Sequence, residues 1–110
     1  MSSTRTHQTL DRRSLALHRI AVKNVLDNPL LFNEIRKTLD RWLVIVAKSS
    51  QPYVRQWDDL ANQGIDVFLA KAVEESEDGN AMRQSSPFGV AISNKERSDF
   101  FKNWKCHDQE

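Results

Sequence analysis

The residues able to do chemistry are few and scattered. Histidine stands at 7, 18 and 107 and the single cysteine at 106, with none of the C-x₂-C or H-x₃-H spacings that preorganise metal ligands, so neither a metal nor another cofactor is expected. Ser85 and Ser86 share only their type with a hydrolase nucleophile, which sits on a strand-to-helix elbow between glycines. The acid pairs Asp58-Asp59 and Glu74-Glu75 are adjacent, so on a helix they diverge by about 100° and cannot share a substrate. No glycine-rich loop is present to cradle phosphate. His18 falls between Leu15 and Val22 at helical spacing and reads as a partly buried helix residue rather than a general base. The expectation is not an enzyme; a small enzyme or enzyme subunit would need a pocket gathering Arg83 with His18 or with an acid from another helix.

Recognition chemistry is better represented. Arg83-Gln84-Ser85-Ser86-Pro87 offers a fork of donors, an amide and two hydroxyls beside a proline-stiffened turn, able to clamp a carboxylate, a phosphate or a partner's backbone. The structural alternative pairs Arg83 with an acid of residues 74–78 while the serines cap local turns. The rings Trp42, Tyr53, Trp57, Phe68, Phe88, Phe100, Phe101 and Trp104 read as core by default. Trp57 and Trp104 have polar neighbours and would be interface anchors if exposed. The partner-binding candidates are therefore Arg83, Gln84, Ser85, Phe88 and Trp57.

Charge is unevenly spread along the chain. Five basic residues (Arg5, Arg12, Arg13, Arg19, Lys23) face only Asp11 in the first 24 positions, whereas residues 58–78 carry seven acids against Lys71. If the fold keeps these groups apart, one side could steer a basic partner and the other an acidic protein or phosphates; the plainer reading is two solvated helix faces. Arg12, Arg13, Arg19 and Lys23 are the nucleic-acid-binding candidates. A helix-turn-helix around Gly64 is disfavoured, because its second helix opens Ile65-Asp66-Val67 and carries Lys71 as its one base.

The elements that must position these residues read as helices. Leu15, Ile20, Val22, Val25 and Leu26 recur at helical spacings between Thr9 and Asp27, with Thr9 or Asp11 as cap. Asn28-Pro29 restarts the chain into a second helix reaching about Lys48, buried through Phe32, Ile35, Leu39, Trp42, Leu43 and Val46, with Arg36 and Asp40 paired outside. The β-branched tract at 43–47 has no second strand to pair with, so helix wins there. A third helix starts near Pro52, buries Tyr53, Val54, Trp57, Leu60 and Ala61, and stops at Gly64. Asp66 caps a fourth, which buries Phe68, Leu69, Ala72 and Val73 and breaks at Glu74-Glu75-Ser76-Glu77-Asp78, where acids oppose a helix C-terminus and favour a fresh start. Residues 80–86 read as one or two helical turns holding Met82. An extended loop at 85–93 follows, and the capping box Ser93-Asn94-Lys95-Glu96 opens a last helix. The fold class is all-α, a compact bundle of about five helices over 9–105, with flexible ends at 1–8 and 106–110.

Length and composition agree with this class. The 110 residues are 39% hydrophobic and 28% charged, with three glycines and three prolines, which suits one helical domain and excludes collagen, a disulfide scaffold and disorder. No stretch approaches the ~18 apolar residues of a membrane span. The polar N-terminus lacks a signal-like apolar region and the cysteine is alone, so a reducing cytoplasm is expected.

The run Met82-Arg83-Gln84-Ser85-Ser86-Pro87-Phe88-Gly89-Val90 followed by Glu96-Arg97, together with Leu15-Ala16-Leu17-His18-Arg19 and Trp57 with Leu60 before a glycine, is similar to small bacterial proteins of unassigned function over residues 14–104. Where those proteins read Pro-Phe-Ala-Gly-Val this chain reads Pro-Phe-Gly-Val-Ala, which puts the shape of the loop after Phe88 in doubt. The resemblance implies a partner-type component near toxin–antitoxin or defence genes. The expected function is a protein-interaction module, antitoxin-like or adaptor, that binds and regulates a partner protein; nucleic-acid binding through the first helix is the alternative.

Overall fold

The computed structural model describes residues 2–45 and 51–108, with side chains at 10–45 and 51–104. The chain order is α1 (Ser2–Asp27), α2 (Leu30–Ile45), α3 (Gln51–Gln63), α4 (Ile65–Ala72), α5 (Glu77–Arg83), a 3₁₀ turn (Phe88–Ala91) and α6 (Asn94–Asp108). Among the described residues there is no strand, and no helix is long and apolar enough to cross a membrane. The all-α class holds, but there are six α-helices where the periodicity indicates about five. The additional one is α5, which begins within the acidic run. Ser76 caps it, accepting from the Gly79 amide at 2.9 Å, and Glu77 and Asp78 occupy its first turn, where negative charge suits the dipole.

Three boundaries differ from the sequence reading for identifiable reasons. Helix α1 is already helical at Ser2, ahead of the Thr9 or Asp11 start. The residue before the first turn of α4 is Gly64, at φ 139°, a conformation that favours glycine, and Asp66 lies inside the first turn instead of capping it. The segment expected to be extended at 85–93 contains the 3₁₀ turn, so its buried residues are Phe88, Ala91 and Ile92 while Val90 turns outward. Val46 and Lys48 lie outside the described residues.

Fully enclosed rings make the centre. Trp57 of α3 meets Phe68 of α4 edge-on at 5.3 Å and Phe88 at 5.7 Å; Phe68 and Phe88 stack at 5.1 Å, and Phe32 of α2 meets Phe68 at 5.4 Å. Such pairs add about 1 kcal/mol each beyond the area they bury. Ala21 and Val25 of α1, Ile35 and Leu39 of α2 and Met82 of α5 complete the core. Tyr53 and Leu26, expected inside, are exposed.

Side chains close the helix ends. Arg36 does not pair with Asp40: it reaches across to the end of α3, donating to the Asn62 Oδ1 at 2.6 Å and to the Ala61 carbonyl at 3.4 Å, where a cation suits the carbonyls left over at a helix C-terminus. The capping box of α6 forms as the spacing predicts, the Ser93 amide donating to Glu96 Oε1 at 2.9 Å and the Glu96 amide to Ser93 Oγ at 3.1 Å. Asn24 then ties α1 to this corner by donating to the Ala91 carbonyl at 2.9 Å and to Glu96 at 3.1 Å.

Gly79 is the position with least space. A Cβ there would stand 2.3 Å from the Glu74 carbonyl oxygen, whereas one at Gly89 would meet only the mobile end of Arg97 at 3.4 Å. Gly79→Ala is expected to lower stability by about 2 kcal/mol or more and Gly89→Ala by less than about 0.5 kcal/mol, read from urea midpoints.

Candidate functional site

Arg83 ends α5 with only 4% of its surface exposed. Its Nη1 donates to the carbonyls of Ala72 at 3.2 Å and Glu74 at 2.7 Å, and its Nη2 donates to Asn80 Oδ1. The guanidinium thus caps the C-terminus of α4, supplying donors and a positive charge where orphan carbonyls gather. Asn80 passes the connection to α1 by donating to Asp11 Oδ2 at 3.3 Å. Burial holds the Arg83 pKa below its ordinary value, against the opposing attraction of Asp11 and Glu74. The expected carboxylate partner from residues 74–78 is replaced by the Glu74 backbone carbonyl, and Nε is enclosed without a partner.

One turn further on, Ser86 faces His18. The two are 68 positions apart, yet Ser86 Oγ and His18 Nε2 stand at 2.6 Å. His18 Nδ1 is 2.7 Å from the Ser14 carbonyl, an acceptor only, so Nδ1 carries the proton and Nε2 accepts from the serine. The Phe88 amide donates to Ser86 Oγ at 3.2 Å, closing the turn, and the Phe88 ring meets the imidazole edge-on at 5.6 Å. His18 is 7% exposed, and burial first, then the Arg83 charge, lowers its pKa.

The structure therefore divides the partner-binding candidates. Trp57 and Phe88 lie wholly inside the ring cluster, Trp57 also donating from Nε1 to the Met82 carbonyl at 2.9 Å. Arg83 is occupied as described. Gln84 is exposed and Ser85 half-buried, so these two keep surfaces a partner can touch. The anchor expected at Trp57 is a core residue because its face, not its neighbours' polarity, decides where it points.

Charges kept apart in the sequence meet in the fold. Arg19 pairs with Glu75 at 2.7 Å, and Lys71 pairs with Glu74 at 3.0 Å and with Asp78. Ser76 Oγ donates to Glu74 at 2.5 Å; this hydroxyl and Lys71 hold the Glu74 carboxyl below its usual range. Of the four nucleic-acid candidates, Arg13 lies over the Phe101 ring at 5.3 Å and Arg19 is paired, leaving Arg12 and Lys23 as exposed cations with no partner among the described side chains. A groove of about 520 Å³ runs between α1 and α5, lined by Asp11, Arg12, Leu15, Glu77, Asn80 and Arg83. Another, of about 430 Å³, is lined by Leu10, Asp11, Arg13, Ser14, Leu17, Asn80, Gln84 and Phe101. Among the described residues no three His, Cys, Asp or Glu side chains come together to hold a metal ion; His7, Cys106 and His107 are outside the described side chains.

Sequence reasoning missed Asp11, Asn80 and the His18–Ser86 contact. The helical spacing of His18 signals its burial, but nothing local signals a partner so distant. No family model, curated protein or solved structure matches the chain.

Two expectations follow. Arg83→Met leaves the Ala72, Glu74 and Asn80 oxygens without their donor and is expected to cost about 3 kcal/mol, measured by urea unfolding. Because His18 stays neutral in the fold while the unfolded chain binds a proton near its ordinary pKa of 6.5, stability is full above that pH and declines as pH falls below it. His18→Gln is expected to flatten this decline in a series of midpoints between about pH 7.5 and 5.

Proposed function

We propose that the chain is a protein-interaction module, antitoxin-like or adaptor in kind, that binds and regulates a partner protein. The observation that carries this reading is the set of large aliphatic side chains left in water at both ends of α2: Val44 and Ile45 are 82% and 73% exposed at one end, with Leu30 at 70% at the other beside Leu26 of α1 at 62%. Burying one such side chain yields about 1.5–3 kcal/mol, so the end of α2 that exposes Val44 and Ile45 is a ready anchor for another protein. Gln84 and Ser85 add polar contacts on the exterior. The interaction is placed in the cytoplasm, where a lone cysteine stays reduced. Nucleic-acid binding draws less support, since two unpaired cations on α1 make a small electrostatic footprint.

Affinity capture from the native host with the wild-type chain and with Val44→Asp/Ile45→Asp tests this. The wild type is expected to retain a specific protein whose activity changes when the two are recombined, and the variant, shown folded by circular dichroism, to lose at least about tenfold in affinity for it. A wild-type chain that retains nothing specific, or a variant that binds the same protein equally well, would overturn the proposal.

A further inference from the structure

Beyond partner binding, the geometry points to Ser86 and His18 as a nucleophile and its base, able to take an acyl group from a small ester. Three observations converge. Ser86 Oγ is 2.6 Å from Nε2 of an imidazole whose other nitrogen is fixed by the Ser14 carbonyl at 2.7 Å. That is the arrangement of an activated hydroxyl: nucleophile, base, and a third group that sets the base's tautomer and orientation. Ser86 is half-buried, while its base is buried and packed edge-on against Phe88. A groove lies nearby: Ser14, whose carbonyl orients the imidazole, and Gln84, two positions before the nucleophile, both line it.

The chemistry balances without any further reagent than water. Ser86 Oγ attacks the ester carbonyl carbon as its proton passes to His18 Nε2. The carbon–oxygen bond to the alcohol breaks, and the departing oxygen takes that proton from Nε2. The products are free alcohol and an acyl ester on Ser86. A water molecule that gives its proton to Nε2 then attacks the acyl carbon, releasing the acid and restoring the serine. The Phe88 amide, donating to Oγ at 3.2 Å, holds the hydroxyl in place beside the imidazole. Because burial lowers the His18 pKa, the imidazole is in its basic form at neutral pH.

The full chain treated with a fluorophosphonate, and separately with p-nitrophenyl butyrate, gives the test, with the modified residue located by peptide mass spectrometry. A single adduct on Ser86 is expected. His18→Gln should slow its formation by about 100-fold. Ser98→Ala, on the exposed side of α6, should leave it unchanged. The wild-type rate should hold from about pH 8 to 6.5 and fall only at lower pH, following a histidine shifted below its ordinary value. Absence of an adduct on Ser86 in the folded wild-type chain at about pH 7.5 would overturn the inference whether or not any variant folds. Equal rates in wild type and His18→Gln would overturn it too.

Discussion

The guanidinium of Arg83 is almost sealed from water, and a cation so placed must find acceptors inside the protein or cost several kcal/mol. It finds them at the frayed end of α4, in the carbonyls of Ala72 and Glu74, and in Asn80. That requirement fixes much else. The chain must turn sharply after α4 so that the Glu74 carbonyl points inward, and the helix that follows must come close enough for the cation to reach it. Only a residue without a Cβ fits at 79 under that constraint. Asn80, held by the same cation, reaches Asp11 and so brings α1 alongside.

With α5 fastened there, its continuation is aimed at the core. Ser86 meets His18, Pro87 is buried, and Phe88 enters between Trp57 and Phe68. Polar fastening and apolar packing support each other in this segment: the rings exclude water from the hydrogen bonds, which strengthens them, and the hydrogen bonds hold the turn that delivers the ring. Helix α6 stands apart from this centre. It rests on α1 through the Asn24–Glu96 contact and through Arg13 over Phe101. The surfaces available for recognition are accordingly the ends of α2 and the Gln84–Ser85 turn, and the one internal pair with chemical potential is His18 with Ser86.

How much of this was legible in the sequence depended on the range of the interaction. The Ser93–Glu96 box and the stop at Gly64 are local devices, and both were readable from residue type and spacing. So was the all-helical class, from periodicity and the scarcity of turn residues. The separate helix α5 was half-legible: the acids of 74–78 argue for a break, but Ser76 as a cap is visible only once the helix after it is admitted. The 3₁₀ turn at Phe88 reads as extended in the sequence because Phe88, Val90 and Ile92 alternate with small residues, whereas the fold buries Phe88, Ala91 and Ile92. Least legible were the partners of Arg83 and His18. A guanidinium that binds backbone carbonyls leaves no mark in the sequence of its acceptors, and residues 68 positions apart meet only through the packing of everything between them.

The claim on which the account stands is that Arg83, Pro87 and Phe88 fasten the interior, with only Gln84 and Ser85 between them turned outward. Hydrogen exchange read at the Arg83 guanidinium and the Trp57 indole tests it directly. The account predicts that both exchange only when the whole molecule unfolds, with the same dependence on denaturant as the slowest core amides. Exchange of the Arg83 protons as fast as those of an exposed arginine such as Arg12, under conditions where the core amides stay protected, would contradict it.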